Sequence, residues 1–289
     1  MKRPNSKRNL DMAIRRLGGS DGEYLRNRTV IANAVIGQMI SGAVIKGGSS
    51  LKMRFGDAST RATTDLDVAR SQDAEEFAST FAEKLAAGWE GFTGRLVEKP
   101  KATPVGVPSQ YVMQPYEVKL NYLGSPWCTV VFEVGHDEIG DADEAEYVLP
   151  QDASDMLQSM GFPKLDPVAL MPLHYQAAQK LHGASEPNSQ RAHDLVDLQI
   201  IMRRGSVDPA LLRSTCERLF AYRKMQPWPA HVVINEGWDA MYSEAAEGLD
   251  VLQSVSDAAQ WANRIIDEML VRKQFGEMRA APFSEDASS

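Results

Sequence analysis

The pattern of apolar and polar residues in the first part of the chain alternates between two periods. Residues 24–42 and residues 73–89 place apolar side chains at helical spacing, and each segment is predicted to be a helix. Residues 43–46 and 65–69 are short segments with strand character. The sequence therefore predicts two short strands around a glycine-rich turn, flanked by helices.

The middle of the chain changes to a period of two. Residues 116–122 and 127–134 alternate in polarity and are joined by Leu123-Gly124-Ser125-Pro126, which predicts a β-hairpin. Residues 100–108 contain three prolines, so a loop or lid is expected there rather than a central strand. Residues 137–146 contain six acidic residues and are predicted to form a solvated loop.

Helical periodicity dominates from Asp152 onward, and no further strand is expected. Two Asp-Pro pairs, Asp166-Pro167 and Asp208-Pro209, are predicted to cap helices at their N-termini. Five helices are predicted, over residues 166–183, 190–204, 208–224, 238–247 and 257–275. The change of period places a domain boundary near residue 150, between a 1–150 domain with N-terminal helices and a helical 151–289 domain with a disordered tail from about 281.

Composition and charge exclude some classes of protein. With 31 Lys and Arg against 39 Asp and Glu, the net charge is −8, which excludes a uniformly basic nucleic-acid coat. The charge is unevenly distributed, because residues 1–28 carry eight basic and three acidic side chains. This segment is interpreted either as a basic arm for a polyanion or as a flexible solvated tail. Two cysteines without zinc spacing predict no structural metal, and no segment has the composition of a membrane span, so a cytoplasmic protein is expected.

The candidate chemistry lies in residues 44–69. Asp65 and Asp67 are two apart on a predicted strand, so both carboxylates leave the same face and can chelate Mg²⁺ or Mn²⁺. Gly47, Gly48 and Ser49 follow a strand and precede a helix, which lets backbone N–H groups approach a phosphate. An ordinary Gly-Gly turn is the alternative, and neither a Walker A loop nor a GxGxxG motif is present.

Together, GGSSL and RATTDLD resemble the first motif of the DNA polymerase β-like nucleotidyltransferases, and in particular the AbiE-type toxin nucleotidyltransferases, the AbiEii toxin family. The resemblance extends through the hairpin to residues 180–198. It implies an α+β fold, with a polymerase β-like core around a mixed sheet and a helical C-terminal domain that completes the active-site cleft. The matching residues are Gly47, Gly48, Ser49, Leu51, Arg61, Thr63, Asp65, Leu66 and Asp67.

The downstream element of the family assigns further roles by resemblance. Lys180 is expected to neutralise the triphosphate, although a solvated helix lysine is the alternative from the sequence itself. Asp194 is expected to be an active-site acid, with Arg191 beside it in the nucleotide site. Because Arg191 and Asp194 are three apart on one helix face, a salt-bridged pair is the structural alternative.

The superfamily places a third carboxylate on a neighbouring strand, and its identity is open in this sequence. Asn121 stands where an acid is expected on the first strand of the hairpin. Glu133 lies in an otherwise apolar strand and is favoured as the third metal ligand. The alternative is an ion pair between Glu133 and Lys119 across the hairpin.

The implied activity is Mg²⁺-dependent transfer of nucleotides from a nucleoside triphosphate to RNA, at the 3′ end of tRNA, which would block translation. Residues 1–28 with Lys52, Arg54 and Arg61 would hold the RNA backbone, and a cognate antitoxin is the expected protein partner. Phosphorylation of Thr63 would place negative charge beside the metal carboxylates and is a regulatory hypothesis. The alternatives are nucleotidyl transfer to a protein or small molecule, and a non-catalytic nucleotide- or RNA-binding regulator.

Overall fold

The computed structural model describes the backbone of residues 2–103 and 112–280, with side chains up to residue 271. The chain forms two compact units, Met1–Pro172 and Leu173–Ser289. Part of the proline-rich segment expected to be a loop or lid, residues 104–108, lies outside the described residues, as does the predicted tail from 281.

The first unit is built on a mixed sheet, which confirms the predicted α+β fold. Its described strands are β1 (Ala43–Lys46), β2 (Leu66–Arg70), β3 (Phe92–Glu98), β4 (Gln114–Tyr122), β5 (Ser125–His136), β6 (Glu146–Val148) and β7 (Val168–Leu170). They lie in the order β3-β4-β5-β2-β1-β7-β6. The pairs β1–β2, β3–β4, β4–β5 and β6–β7 are antiparallel, whereas β2–β5 and β1–β7 are parallel.

Five α-helices accompany this sheet within the described residues: α1 (Lys7–Arg15), α2 (Asp21–Gly37), α3 (Gly47–Phe55), α4 (Ala74–Ala87) and α5 (Gln151–Ser159). A reciprocal capping box between Ser20 and Glu23 starts α2, and the Asp73 carboxylate caps α4. The helices predicted over 24–42 and 73–89 are confirmed. Gly47 and Gly48 form the first turn of α3 rather than a simple turn between β1 and β2.

The basic N-terminal segment is folded, so its interpretation as a flexible tail is wrong. Leu10 and Ile14 of α1 are fully buried in the core. The Asp11 carboxylate accepts hydrogen bonds from the Tyr24 hydroxyl and the Trp127 Nε1 atom, each at 3.0 Å. These contacts fix α1 against α2 and the start of β5.

The predicted hairpin is confirmed as β4 and β5. Leu123 and Gly124 connect the strands with φ angles of +47° and +77°, which suit a tight turn between twisted strands. Strand β3, which the sequence analysis did not predict, pairs with β4 along its length.

The segment after residue 150 differs from its prediction. Asp166-Pro167 does not cap a helix, because Val168–Leu170 forms β7 and the following helix begins at Leu173. Strand β7 pairs with β6, and Leu170 pairs with Ile45 of β1. The sheet of the first unit is therefore completed beyond residue 150, and the division of the chain falls after Pro172.

One face of the sheet carries the hydrophobic core. Ile45 pairs with Val68, and Leu66 pairs with Phe132, so the apolar side chains of β1, β2 and β5 form buried rows. The Phe81 ring of α4 lies 4.9 Å from the Phe132 ring. Alternation along the strands then places the intervening polar residues on the opposite face.

The acidic segment 137–146 is an organised turn, so its prediction as a solvated loop is wrong at Asp141. This carboxyl is buried, and its Oδ1 atom accepts a hydrogen bond from the Glu138 backbone N–H at 3.1 Å. Burial and a hydrogen bond with Asp137 raise the pKa of Asp141 to about 7.

Replacement of Asp141 with asparagine is expected to flatten the dependence of stability on pH. Because the folded-state pKa of Asp141 is raised above its ordinary value, its stabilising contribution is complete at acidic pH and is lost as pH rises through about 7. The Asp141→Asn amide still donates to Asp137 but does not titrate. Thermal midpoints between about pH 5 and 8 test this, with the exposed neighbour Asp143→Asn as control. Equal slopes in Asp141→Asn and the wild type would contradict the assignment.

The second unit is helical in its described part, as predicted. Its helices are α6 (Leu173–Ser185), α7 (His193–Arg204), α8 (Pro209–Arg223), α9 (Trp238–Ala246) and α10 (Val255–Ala280). The Asp208 carboxylate accepts a hydrogen bond from the Ala210 N–H, with Pro209 in the first turn, so the predicted cap is confirmed. Trp238 and Tyr242 are buried in its core. In the described residues of both units, no helix is long and apolar enough to cross a membrane.

Candidate active site

Three acidic residues occupy adjacent positions on the polar face of the sheet. Asp67 of β2 pairs directly with Glu133 of the parallel strand β5, and Asp65 stands one residue before β2. Directly paired residues of neighbouring strands project to the same face. The register therefore places Glu133 beside Asp67, on the neighbouring strand where a third acid was expected.

The alternative for Glu133, an ion pair with Lys119, is wrong, and Asn121 does not lie beside the other two acids. Glu133 pairs with Pro115 of β4 and not with Lys119, whose Nζ atom instead lies 3.4 Å from Glu117 Oε2. Asn121 pairs with Pro126 at the turn end of the hairpin, several residues from the carboxylates. The sequence pattern could not predict this register, because a β-bulge shifts the pairing between Leu120 and Asn121.

The three carboxylates repel one another. The pKa of Glu133 is raised first by burial and then by the negative charges of Asp67 and Asp65, while Lys46 partly offsets the shift. In the described residues, no group of three or more His, Cys, Asp or Glu side chains is already gathered to hold an ion. The donor set nevertheless fits a divalent cation, since carboxylate oxygens are preferred ligands of Mg²⁺ and the excess of negative over positive charge attracts it.

Helix α3 begins directly beside these carboxylates. Gly47 has a φ of +67°, and a Cβ atom there would overlap Asp67 Oδ2, so only glycine fits. A Cβ at Gly48 would lie 3.2 Å from Thr63 Oγ1 and 3.3 Å from Arg61 Nη2. The N-cap residue Lys46 makes no side-chain hydrogen bond to the start of α3, whose helix dipole favours an anion there. The structure thus brings the GGS and RATTDLD motifs together.

Ser49 has a structural contact that the sequence did not reveal. Its hydroxyl is buried, donates a hydrogen bond to the Asp65 carbonyl oxygen, and accepts one from Asn33 Nδ2 at 3.1 Å. The Ser49 side chain therefore fixes the backbone just before β2. A phosphate at this helix end would meet the backbone of α3 rather than the Ser49 hydroxyl.

Replacement of Gly47 with alanine is expected to lower the nucleotidyl transfer implied by the sequence resemblance about a hundredfold, because a displacement of about 1 Å at a reacting group has that effect. The added methyl group would push the Asp67 carboxylate from its position. Gly124→Ala is the matched control, since Gly124 also has positive φ but its Cβ would meet nothing within 4 Å. Both variants should lose about 1 to 2 kcal/mol of stability. Equal activity in the two variants would contradict the role of Gly47.

Lys46 is a site residue that the sequence analysis missed. It ends β1 and pairs with Asp67, so Lys46, Asp67 and Glu133 form one row across three strands. A Cβ at Gly135 would lie 3.2 Å from Lys46 Nζ, so glycine leaves room for the ammonium beside the carboxylates. Its position immediately before Gly47 is the sequence signal that could have identified it.

Two basic residues predicted to hold RNA are engaged elsewhere. Lys52 is buried, and its Nζ atom forms an ion pair with Asp57. Arg54 forms an ion pair with Glu146, and its side chain is largely buried. Their expected role in RNA binding is therefore wrong, because neither side chain presents a free charge to a ligand.

The remaining predicted residues form a buried ion network in the second unit. Lys180 Nζ lies 2.8 Å from Asp194 Oδ1 and 2.7 Å from Asp197 Oδ2. Arg191 Nε lies 2.6 Å from Asp194 Oδ2, so the predicted Arg191–Asp194 salt bridge is confirmed. A Cβ at Gly183 would overlap both Arg191 Nε and Asp194 Oδ2, so glycine on α6 permits this packing.

The members of this network differ in exposure. Asp194 is fully buried, and although burial alone would raise its pKa, Lys180 and Arg191 hold the pKa well below its ordinary range. The Lys180 side chain is 7% exposed, so it is not a solvated helix lysine. Arg191 is 47% exposed and is the cation of this network with the greatest access to a ligand.

A mixed sheet with clustered carboxylates beside a glycine-initiated helix is the arrangement expected of a polymerase β-like nucleotidyltransferase. The chain belongs to the AbiEii nucleotidyltransferase toxin family of type IV toxin–antitoxin systems, because the model of that family matches residues 35–281. This membership confirms the resemblance found in the sequence. It also implies a nucleoside triphosphate substrate and a cognate antitoxin.

Solved structures are similar at low identity. MenT4, a nucleotidyltransferase toxin from Mycobacterium tuberculosis H37Rv, is 18% identical with a TM-score of 0.50, over 90% of this chain and 98% of that chain. JHP933 from Helicobacter pylori is 12% identical with a TM-score of 0.46, over 89% of this chain and 96% of that chain. The likeness to MenT4 supports the fold. No curated protein matches the sequence.

Proposed function

We propose that this toxin transfers nucleotides from a nucleoside triphosphate to RNA, at the 3′ end of tRNA, and so blocks translation. The observation that carries the proposal is the direct pairing of Asp67 with Glu133 beside Asp65 and the start of α3. This arrangement supplies ligands for divalent cations next to a phosphate-binding helix end. Nucleotidyl transfer needs both features in one place.

Asp65, Asp67 and Glu133 would hold Mg²⁺ or Mn²⁺. When bound, the cation supplies charge neutralisation at the reacting phosphate and lowers the pKa of the attacking hydroxyl. The backbone of Gly47 and Gly48 would bind the triphosphate at the start of α3, where the helix dipole stabilises negative charge.

Three basic side chains are assigned to phosphate binding or its support. Arg61, whose guanidinium lies close to Gly48, would contact the triphosphate. In the second unit, Arg191 would contact nucleotide phosphates through its exposed guanidinium. Lys180 and Asp194 would support Arg191, because their ion pairs hold it in one position.

Thr63 stays a candidate regulatory site. A Cβ at Gly48 would lie 3.2 Å from its Oγ1 atom, so a phosphoryl group on Thr63 would occupy space at the start of α3. Such a group adds about −1.5 to −2 charge and would compete with the triphosphate there. Thr63→Glu is expected to lower the affinity for triphosphate, and full activity of that variant would contradict the hypothesis.

The acceptor can be identified by one experiment. The protein is incubated with Mg²⁺ and each labelled nucleoside triphosphate in turn, together with separate pools of tRNA, protein and small molecules. We expect label in tRNA only, at nucleotides added to the 3′ end and detected by sequencing. Label in the protein or small-molecule pool would assign a different acceptor, and no label with no nucleotide binding would indicate a regulator instead of an enzyme.

A further inference from the structure

The exposed side of α1 carries arginines at helical spacing. Arg8, Arg15 and Arg16 are exposed, with the exposed Met12 between them, whereas Leu10 and Ile14 point into the core. Residues four, seven and eight apart lie on one face of a helix. We call Arg8, Met12, Arg15 and Arg16 the α1 basic face.

Nearby acids leave much of this positive charge uncompensated. Asp11 points inward to Tyr24 and Trp127, and Glu23 is engaged in the capping box of α2. Asp21 pairs with Arg15. In the described part of the chain, Arg8 and Arg16 form no ion pair.

The helix that carries the α1 basic face is anchored to the core. Besides the two hydrogen bonds to Asp11, the Tyr122 hydroxyl donates to the Pro4 carbonyl oxygen at 2.5 Å, and Arg3 pairs with Glu90. A helix anchored in this way presents its cations to a phosphate backbone with less loss of backbone conformational entropy than a flexible arm does. The local concentration of positive charge contrasts with the overall charge of −8, because residues 1–28 carry +5.

We infer that the α1 basic face is a docking surface for the phosphate backbone of the RNA acceptor, an inference that rests on the proposed function. Charge complementarity identifies the occupant, since guanidinium groups bind phosphates and the chain is otherwise acidic. The family model begins at residue 35, so α1 precedes the matched region. The surface therefore lies outside the part of the chain that matches the family.

The distance between this surface and the carboxylates determines which part of the RNA it binds. Asp11 of α1 is fixed to Trp127 at the start of β5, and Glu133 lies six residues farther along the same strand. At roughly 3.3 Å per residue, Trp127 and Glu133 lie roughly 20 Å apart along the strand, and the exposed side of α1 lies beyond Trp127. The α1 basic face would thus contact the body of a structured RNA while its 3′ end lies at the carboxylates.

The test compares two variants of the full chain, each of which loses two positive charges. Arg8→Gln/Arg16→Gln removes two charges from the α1 basic face, and Lys84→Gln/Lys164→Gln removes two exposed charges elsewhere in the first unit. For the first variant we expect Kd for tRNA to rise about tenfold and the slope of log affinity against log salt to fall by about 2. The control should bind tRNA as the wild type does.

A second acceptor separates this inference from the proposed function. A short single-stranded oligonucleotide with the tRNA 3′ sequence should be extended equally by the wild type and by Arg8→Gln/Arg16→Gln, because it does not reach α1. Met12→Glu, which adds an acid to the α1 basic face, should weaken tRNA binding as well. If Arg8→Gln/Arg16→Gln and Met12→Glu bind tRNA with the affinity of the wild type and still transfer nucleotides to it, the inference about the α1 basic face is wrong and the proposed function stands. Absence of any transfer to RNA by the wild type would overturn the proposed function.

Discussion

Replacement of Asp67 with asparagine is expected to abolish nucleotidyl transfer while the protein stays folded. The Asp67 carboxylate is the middle member of the row formed with Lys46 and Glu133, and it also lies against the start of α3. Loss of a metal carboxylate removes several kcal/mol of charge stabilisation. Since about 1.4 kcal/mol corresponds to a tenfold change in rate, the rate should fall by about a thousandfold or more.

The same substitution should not destabilise the first unit. Burial and the charges of Asp67 and Asp65 raise the pKa of Glu133, and Asp67→Asn removes one of these repulsive charges. Because the folded-state pKa of Glu133 is raised, ionisation of Glu133 lowers the stability of the folded protein as pH rises through that pKa. This loss at neutral pH should be smaller in Asp67→Asn than in the wild type. An unchanged or higher thermal midpoint together with lost activity would separate the metal-binding role from a role in folding.

Glu117→Gln is the matched control for Asp67→Asn. Glu117 is an acid of β4 that pairs with Lys99 at 2.7 Å and is not a member of the carboxylate row. Its substitution should leave transfer within about twofold of the wild type, since exposed ion pairs contribute little. Transfer is measured with labelled triphosphate over a range of Mg²⁺ concentrations. Retained activity in Asp67→Asn at all of these concentrations would contradict the metal assignment.

The sequence predicted those parts of the fold that depend on local pattern. Helix α4 follows from apolar spacing behind the Asp73 cap, and the β4–β5 hairpin follows from alternation around Leu123-Gly124. The GGS and RATTDLD motifs identified the first two carboxylates, because their spacing is fixed within one segment. Family membership then confirmed the class of enzyme.

Features set by long-range pairing could not be predicted in the same way. Strand β7 is only three residues long, too short to show a period of two, and it is stabilised by its pairing with β1 and β6. The role of Lys46 depends on its register with Asp67, and the contact of Ser49 with Asp65 depends on the packing of α3. Such contacts join residues that are far apart in the sequence, so they leave no periodic pattern from which they could be predicted.

The buried ion network of α6 and α7 is a second feature that the sequence pattern could not predict. A lysine and two aspartates normally predict exposed charges, yet Lys180, Asp194 and Asp197 are all buried. Burial of these charges is tolerated only because each has an opposite partner at hydrogen-bond distance. The sequence could assign a role to Lys180 through family resemblance, but not its contribution to the stability of the second unit.

Replacement of Lys180 with methionine is accordingly expected to destabilise the second unit by about 3 to 5 kcal/mol, the cost of leaving buried charges without a partner. Asp197 would lose the ion pair at 2.7 Å, and Asp194 would retain Arg191. Chemical denaturation of the full chain measures this loss. The control is Arg203→Met on α7, because it removes a cation whose ion pair with Asp250 is exposed. A loss in Lys180→Met no larger than in this control would contradict the structural role of the network.

A double variant separates the structural contribution of Lys180 from its proposed support of Arg191. In Lys180→Met/Asp197→Asn, one buried cation and one buried anion are removed together, so most of the lost stability should return. The Arg191–Asp194 ion pair remains, but Lys180 no longer holds Asp194 Oδ1 in place. If Lys180 supports phosphate binding through this network, the double variant should show a raised KM for the triphosphate while Lys180→Arg shows a smaller change. Full recovery of both stability and KM in the double variant would show that the network serves folding alone, and would remove Lys180 from the nucleotide site.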